Sequence, residues 1–207
     1  MISHWSHDSQ VKAQELLETY PEKRSAAMPL LYIAALEHGH VTEDAMREVA
    51  ELTGLTPAQV QSVASFYTMY YREPVGKYVV SVCTSISCYL RGADKVLEAI
   101  EEEAGVLDGE TTPDGKISVE HVECSGACGG APAVSVNWEL IEGVEPDKAR
   151  ELIKWLREAD PDVVFGDEMQ LLFGGQQSFD WGPKEIEGAI APLPAFAPYG
   201  TSKGESR

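Results

Sequence analysis

Lys77-Tyr78-Val79-Val80-Ser81-Val82-Cys83-Thr84-Ser85-Ile86-Ser87-Cys88 is the stretch that decides the fold. Its Tyr78–Val82 portion is short and β-branched, the signature of a buried strand, and it ends on Cys83. A helix follows, carrying Ala93, Val96, Leu97 and Ile100 on one face. Asp108-Gly109 and Asp114-Gly115 are turn dipeptides, after which Ile117, Val119 and Val122 lead to Cys124. Ala133-Val134-Ser135-Val136 is another short strand, and a last helix follows Pro146 with Ala149, Leu152, Ile153 and Leu156 on its buried side. This β-α-β-β-α order predicts a small α/β sheet domain over residues 77–159.

Upstream, residues 1–76 read as helices. Ala13, Leu16, Leu17 and Tyr20 make one apolar stripe, and Ala27, Leu30, Leu31 and Ala34 make a second. Thr42 is placed to cap a helix through Ala45, Met46, Val49 and Ala50, with Gly54 as its stop. Thr56-Pro57-Ala58-Gln59 offers a capping box with proline at the first helical position. The aromatic run Phe66-Tyr67-Thr68-Met69-Tyr70-Tyr71 is expected to pack between these helices.

Downstream, residues 160–207 lose periodicity and are punctuated by Gly174-Gly175 and by Pro161, Pro183, Pro192, Pro194 and Pro198. The expectation is an extended, irregular tail. Leu171, Leu172, Phe173, Phe179, Trp181, Ile186, Ile190, Leu193 and Phe196 are too many large apolar groups for a solvated segment. The tail is therefore expected to run across partner subunits and to order on assembly, the alternative being a tail packed on its own domain.

The 207 residues include 43% apolar and 24% charged, an ordinary globular balance. The charge is not ordinary: 16 Lys+Arg against 34 Asp+Glu give −18. Such a surface repels nucleic acid and anionic lipid headgroups. No secretory signal opens the chain and no apolar run reaches the ~18–20 residues that span a bilayer, so a soluble cytoplasmic protein with reduced thiols is expected. No GxGxxG, P-loop or GxSxG occurs, so neither a nucleotide nor a nucleophile elbow is expected on this chain.

Four cysteines are too few for a disulfide scaffold and the right number for one metal site. Cys83 and Cys88 are spaced C-x4-C, Cys124 and Cys128 C-x3-C, and each pair sits where a strand gives way to a loop. Both pairs can meet at one end of a sheet, where four thiolates require a cation between them. A zinc ion and a [2Fe-2S] cluster both satisfy that requirement. The small residues Ser125-Gly126-Ala127-Cys128-Gly129-Gly130-Ala131 favour the cluster, because they let backbone N–H groups approach sulfur. A thioredoxin-type dithiol needs C-x-x-C, which neither pair supplies.

Val82-Cys83-Thr84-Ser85-Ile86-Ser87-Cys88, Gly109-Glu110-Thr111-Thr112-Pro113-Asp114-Gly115 and Val122-Glu123-Cys124-Ser125-Gly126-Ala127-Cys128 resemble the thioredoxin-like [2Fe-2S] subunit of NADH:quinone oxidoreductase. That is the small peripheral-arm component of respiratory complex I, called the E subunit in bacteria. The likeness runs from about Tyr20 to Leu156 and includes Met28-Pro29-Leu30-Leu31 and Ala64-Ser65-Phe66-Tyr67. The resemblance implies a mixed α/β (α+β) fold: an N-terminal helical bundle, then a thioredoxin-like [2Fe-2S] ferredoxin domain and an irregular C-terminal tail. It also implies that Cys83, Cys88, Cys124 and Cys128 bind the cluster, with no catalytic acid or base. FMN and NADH would then belong to a partner subunit, and a neighbouring iron–sulfur subunit would be a second partner. The assembly would lie on the cytoplasmic side, peripheral to the membrane. An NAD-linked hydrogenase or formate dehydrogenase uses a similar diaphorase module, and a zinc-stabilised binding module or a free ferredoxin are the further alternatives. Ser125 departs from the larger apolar residue usual in the family, a change that concerns packing over the cluster.

The remaining conspicuous residues have plainer readings. His121 lies three before Cys124, but a Rieske-type site needs two histidines and no second one is near in sequence. His38 and His40 sit at a helix end and are expected to have no metal role. Glu101-Glu102-Glu103 is a solvated helix face.

Overall fold

Two parallel strands organise the cysteine-bearing half of the chain. β1 (Tyr78–Cys83) pairs in parallel with β2 (Ile117–Val122), from Tyr78 opposite Ile117 to Cys83 opposite Val122. The computed structural model describes residues 4–178. These fall into two compact units, one up to Pro74 and a second from Val75.

The first unit holds α1 (His7–Thr19), α2 (Ala27–His38), α3 (Glu43–Thr53) and α4 (Pro57–Phe66). Thr42 Oγ1 accepts from the Ala45 N–H at 3.0 Å, and Thr56 and Gln59 form a reciprocal capping box. Leu30, Leu31, Ala34, Ala45, Val49 and Val60 are fully buried. The aromatic run divides. Tyr70 is buried and its hydroxyl donates to the Met28 carbonyl at 2.9 Å, but Phe66 is 77% exposed. Phe66 follows the buried Ala64 by two positions, about 200° around the helix, so it points away from the inner face.

In the second unit β3 (Ala133–Val136) runs antiparallel to β1, and β4 (Glu139–Glu142) antiparallel to β3, giving the sheet order β2-β1-β3-β4. β4 is an addition to the strands expected from sequence. It follows β3 through a tight turn in which Asn137 and Trp138 take φ of 50° and 72°. The central strand is buried along its whole length, as its β-branched composition requires. A short helix, α5 (Ile86–Leu90), follows β1 directly. Helices α6 (Ala93–Ala104) and α7 (Pro146–Ala159) bury Val96, Ile100, Leu152, Ile153 and Leu156 in the same core.

Over residues 161–178 the chain departs from the irregular tail expected there. α8 (Gly166–Phe173) packs on α7 and β4, burying Met169 and Phe173 in the sheet-domain core. The Phe173 ring lies 5.6 Å from that of Trp155. Beyond it, Ser178 donates from its N–H and hydroxyl to the buried carboxylate of Glu142, at 3.1 and 2.5 Å. This segment approaches Gly130 so closely that a Cβ there would lie 2.5 Å from Glu142 Oε1 and 2.8 Å from the Gln176 carbonyl. Part of the small-residue run therefore serves packing. Of the apolar residues cited for the tail, Leu171 is exposed, while Phe179, Trp181, Ile186, Ile190, Leu193 and Phe196 lie outside the described residues.

Asp160 ties the end of α7 to the edge of the sheet. Lys77 Nζ and Lys116 Nζ each donate to its carboxylate at 2.9 Å, and the Tyr78 hydroxyl at 3.0 Å. The two ammonium groups and the hydroxyl hold this carboxyl well below the usual carboxylate range.

Candidate metal centre

Because β1 and β2 are parallel, their C-terminal ends lie at one edge of the sheet, where ligands of open α/β sheets commonly sit. Cys83 is the last residue of β1, and Cys124 follows the end of β2 by two residues. Cys88 is carried by the single turn of α5. Cys128 opens the 3-10 turn Cys128–Gly130, which feeds β3. β3 begins at the same edge, since its Val134 pairs with Val82. The topology thus gathers all four cysteines from three strand ends.

They are arranged as two pairs. Cys124 and Cys128 are exposed with sulfurs 3.6 Å apart, whereas Cys83 and Cys88 are buried, the Cys88 thiol donating to the Cys83 sulfur. All four are free of disulfides. Burial pushes the Cys83 thiol up, but N–H groups of Ser85 and Ser125, the Cys88 thiol and the Ser125 hydroxyl together bring it below its ordinary value. Cys88 is pushed up to about 11 by burial, its bond to Cys83 and the negative charges of Cys83 and Cys128, against an opposing bond from the Ala133 backbone. At Cys124 the Gly126 N–H, 3.4 Å from sulfur, works downward. The hydrogen bond and charge of Cys128 outweigh it and leave the thiol raised. Gly126 aims that N–H from φ 85°, a left-handed conformation natural to glycine. These raised values state the electrostatics of the site: the sulfurs are close enough that one thiolate opposes the next, and a bound cation removes the opposition.

The donors around sulfur are only partly legible in the sequence. Ser125 reads there as a matter of packing; in the structure its N–H and hydroxyl are among the groups that hold the Cys83 thiol below its ordinary value. Ala133 carries no sequence signal at all. His121 stays out of the site: Asp108 accepts from its backbone N–H at 2.7 Å and lies 2.6 Å from its Nδ1.

The thioredoxin-like [2Fe-2S] ferredoxin family matches residues 13–157. This chain belongs to that family. It is 44% identical over 152 residues to the E subunit of NADH-quinone oxidoreductase from Mycobacterium tuberculosis, covering 73% of this chain and 60% of the relative. It is 40% identical to NADH-quinone oxidoreductase subunit 2 of Thermus thermophilus, over 72% of this chain and 84% of that one. A second E subunit of the same oxidoreductase, from Rhizobium meliloti, is 38% identical over 68% of this chain and 84% of the relative. The chain thus spans about 60% of the length of its mycobacterial relatives. Among solved structures, an air-oxidised NAD+-reducing [NiFe]-hydrogenase aligns with a TM-score of 0.56 at 20% identity, over 64% of this chain and 23% of the other. That likeness shows the fold alone. No helix among the described residues is long and apolar enough to cross a membrane.

Proposed function

We propose that this family member is the [2Fe-2S] electron-transfer subunit of an NADH:quinone oxidoreductase of the complex I type. The observation that carries the reading is the convergence of Cys83, Cys88, Cys124 and Cys128 on one sheet edge as two sulfur pairs. The relatives named as subunits of NADH-quinone oxidoreductase support it. The donor set fits the group: four thiolates are what a [2Fe-2S] cluster takes, and backbone N–H groups at 126 and near 83 stand ready to bond its ligands. When bound, the cluster accepts and releases one electron at a time.

The protein's own residues do the rest. Cys83, Cys88, Cys124 and Cys128 hold the cluster as thiolates. The buried pair Cys83 and Cys88 closes the inner side against water, and the exposed pair faces the surface from which a partner reaches the site. Beside it α5 presents Ile86, Tyr89 and Leu90, which are 71%, 57% and 75% exposed, an apolar rim for that partner. The partner is the subunit that binds NADH and FMN, with a neighbouring iron–sulfur subunit beyond it, and the assembly sits peripherally on the cytoplasmic face.

Affinity purification of the tagged chain from its own cells tests this. A flavin-containing, NADH-oxidising subunit should copurify, and NADH should reduce the cluster. Copurification of a hydrogenase or formate dehydrogenase would move the chain to that diaphorase, and a colourless zinc protein would overturn the redox role.

A further inference from the structure

We propose that His4, His38 and Glu48 form a second metal site, in the helical unit, for a borderline divalent transition ion such as zinc. Three separate segments deliver the ligands: His4 precedes α1, His38 ends α2, and Glu48 lies within α3. His4 Nε2 is 2.7 Å from Glu48 Oε1 and His38 Nε2 is 2.8 Å from Glu48 Oε2. One ligand atom from each falls within 4.8 Å of the other two. The two imidazoles stand edge to face at 6.0 Å, and each points its Nε2 at the same carboxylate.

The chemistry of the set selects the ion. Two imidazole nitrogens and one carboxylate are a three-protein-ligand set that zinc accepts, with water in the fourth position. Calcium and magnesium require oxygen ligands and are poorly served here. Glu48 is buried, where an ionised carboxylate must be paired or must bind a metal. The buried Trp5 donates its indole N–H to Glu48 Oε2 at 2.9 Å, an outer contact of the kind that fixes a ligating carboxylate. Binding requires the proton on each Nε2 to leave for water or to move to Nδ1, so that each ring presents the Nε2 lone pair. The carboxylate then exchanges two hydrogen bonds for the ion and retains the one from Trp5. His4 is largely exposed, with 61% of its side chain open, which gives the ion an entry path and a place for water. The chain's −18 charge raises the local concentration of cations.

Three segments meet at the site, so its consequence for the fold is mechanical. Without the ion, the segment before α1 is held by Trp5 and by Ser6, whose hydroxyl and N–H donate to Glu37 at 2.6 and 3.1 Å. An ion would join that segment to the end of α2 and the middle of α3 through one centre. This inference stands apart from the four-cysteine site and from the function proposed for it.

Equilibrium dialysis of the full chain against micromolar zinc tests it, with zinc, iron and sulfide measured on the dialysed protein. The cysteine site must first be loaded with its cluster, since bare thiols also take zinc. The wild type should retain one additional zinc per chain, and His4→Ala and His38→Ala should lose it at unchanged iron content. His4→Ala changes a surface side chain and keeps the fold, which a thermal melt confirms. Zinc should raise the melting temperature of the wild type and leave that of His4→Ala unmoved. Equal zinc uptake by all three proteins, or none by the wild type, would overturn the site. If the chain loads no cluster, the difference between wild type and His4→Ala still decides the matter, because both carry the same cysteines.

Discussion

Replacing Met169 by alanine probes whether the chain past Asp160 belongs to the ferredoxin domain. Met169 is fully buried on α8, within the core that Leu152, Leu156 and Phe173 share. Alanine is the best helix former, so the substitution leaves the local propensity intact and removes only core packing. Burying a methionine side chain contributes about 1.5–3 kcal/mol by area, and the cavity left behind brings the total cost to about 2–5 kcal/mol. With a urea slope of about 2 kcal/mol per molar, the unfolding midpoint should fall by about 1 M or more at unchanged slope. Leu171→Ala on the same helix is the control. Leu171 is 86% exposed, and its loss should stay within about 0.5 kcal/mol. Fluorescence-monitored urea unfolding reports on this region, because Trp155 lies against Phe173. A Met169→Ala midpoint equal to that of the wild type would refute the packing of α8, and so would equal losses in the two variants.

Cys88→Ser and Cys124→Ser should each abolish or severely distort the cluster, read as iron and sulfide content, while His121→Ala should leave it nearly intact because its ring serves Asp108. Asp160→Asn should destabilise the chain at neutral pH. The folded-state carboxyl lies below its unfolded value of about 3.9, so the stabilisation is present above that value and is lost as pH falls toward the folded one. The stability gap between variant and wild type should therefore narrow below about pH 4 in acid titrations followed by circular dichroism, and a gap constant with pH would contradict the network. Gly130→Ala should cost about 1–3 kcal/mol in thermal melts, since its Cβ meets Glu142 and the Gln176 carbonyl, and a neutral substitution would mean that segment 174–178 does not lie there.

The fold is legible in the sequence wherever the local pattern and the tertiary need coincide. Tyr78–Cys83 is β-branched because it is the central strand, and Thr42 and Thr56 announce helices because an unpaired N–H demands a cap. α8 is hard to read because eight residues offer only two inward positions, Met169 and Phe173, and Phe165 supplies no side-chain cap. β4 is four residues long with glutamate at both ends, and the reason Glu142 can be buried lies 36 residues on, at Ser178. The cysteines and their meeting at one sheet edge are readable from spacing. The effect of the Ser125 hydroxyl on Cys83 is not, because the two meet only once β1 and β2 align. The contact of His4 with Glu48 spans 44 residues and leaves no local trace.

That the four cysteines hold an iron–sulfur cluster is tested most directly by electron paramagnetic resonance of the dithionite-reduced chain, together with metal and sulfide analysis of the same sample. The expected result is a red-brown protein with iron and acid-labile sulfide in equal amounts and a paramagnetic signal on one-electron reduction. A colourless protein containing stoichiometric zinc and giving no signal after reduction would contradict it.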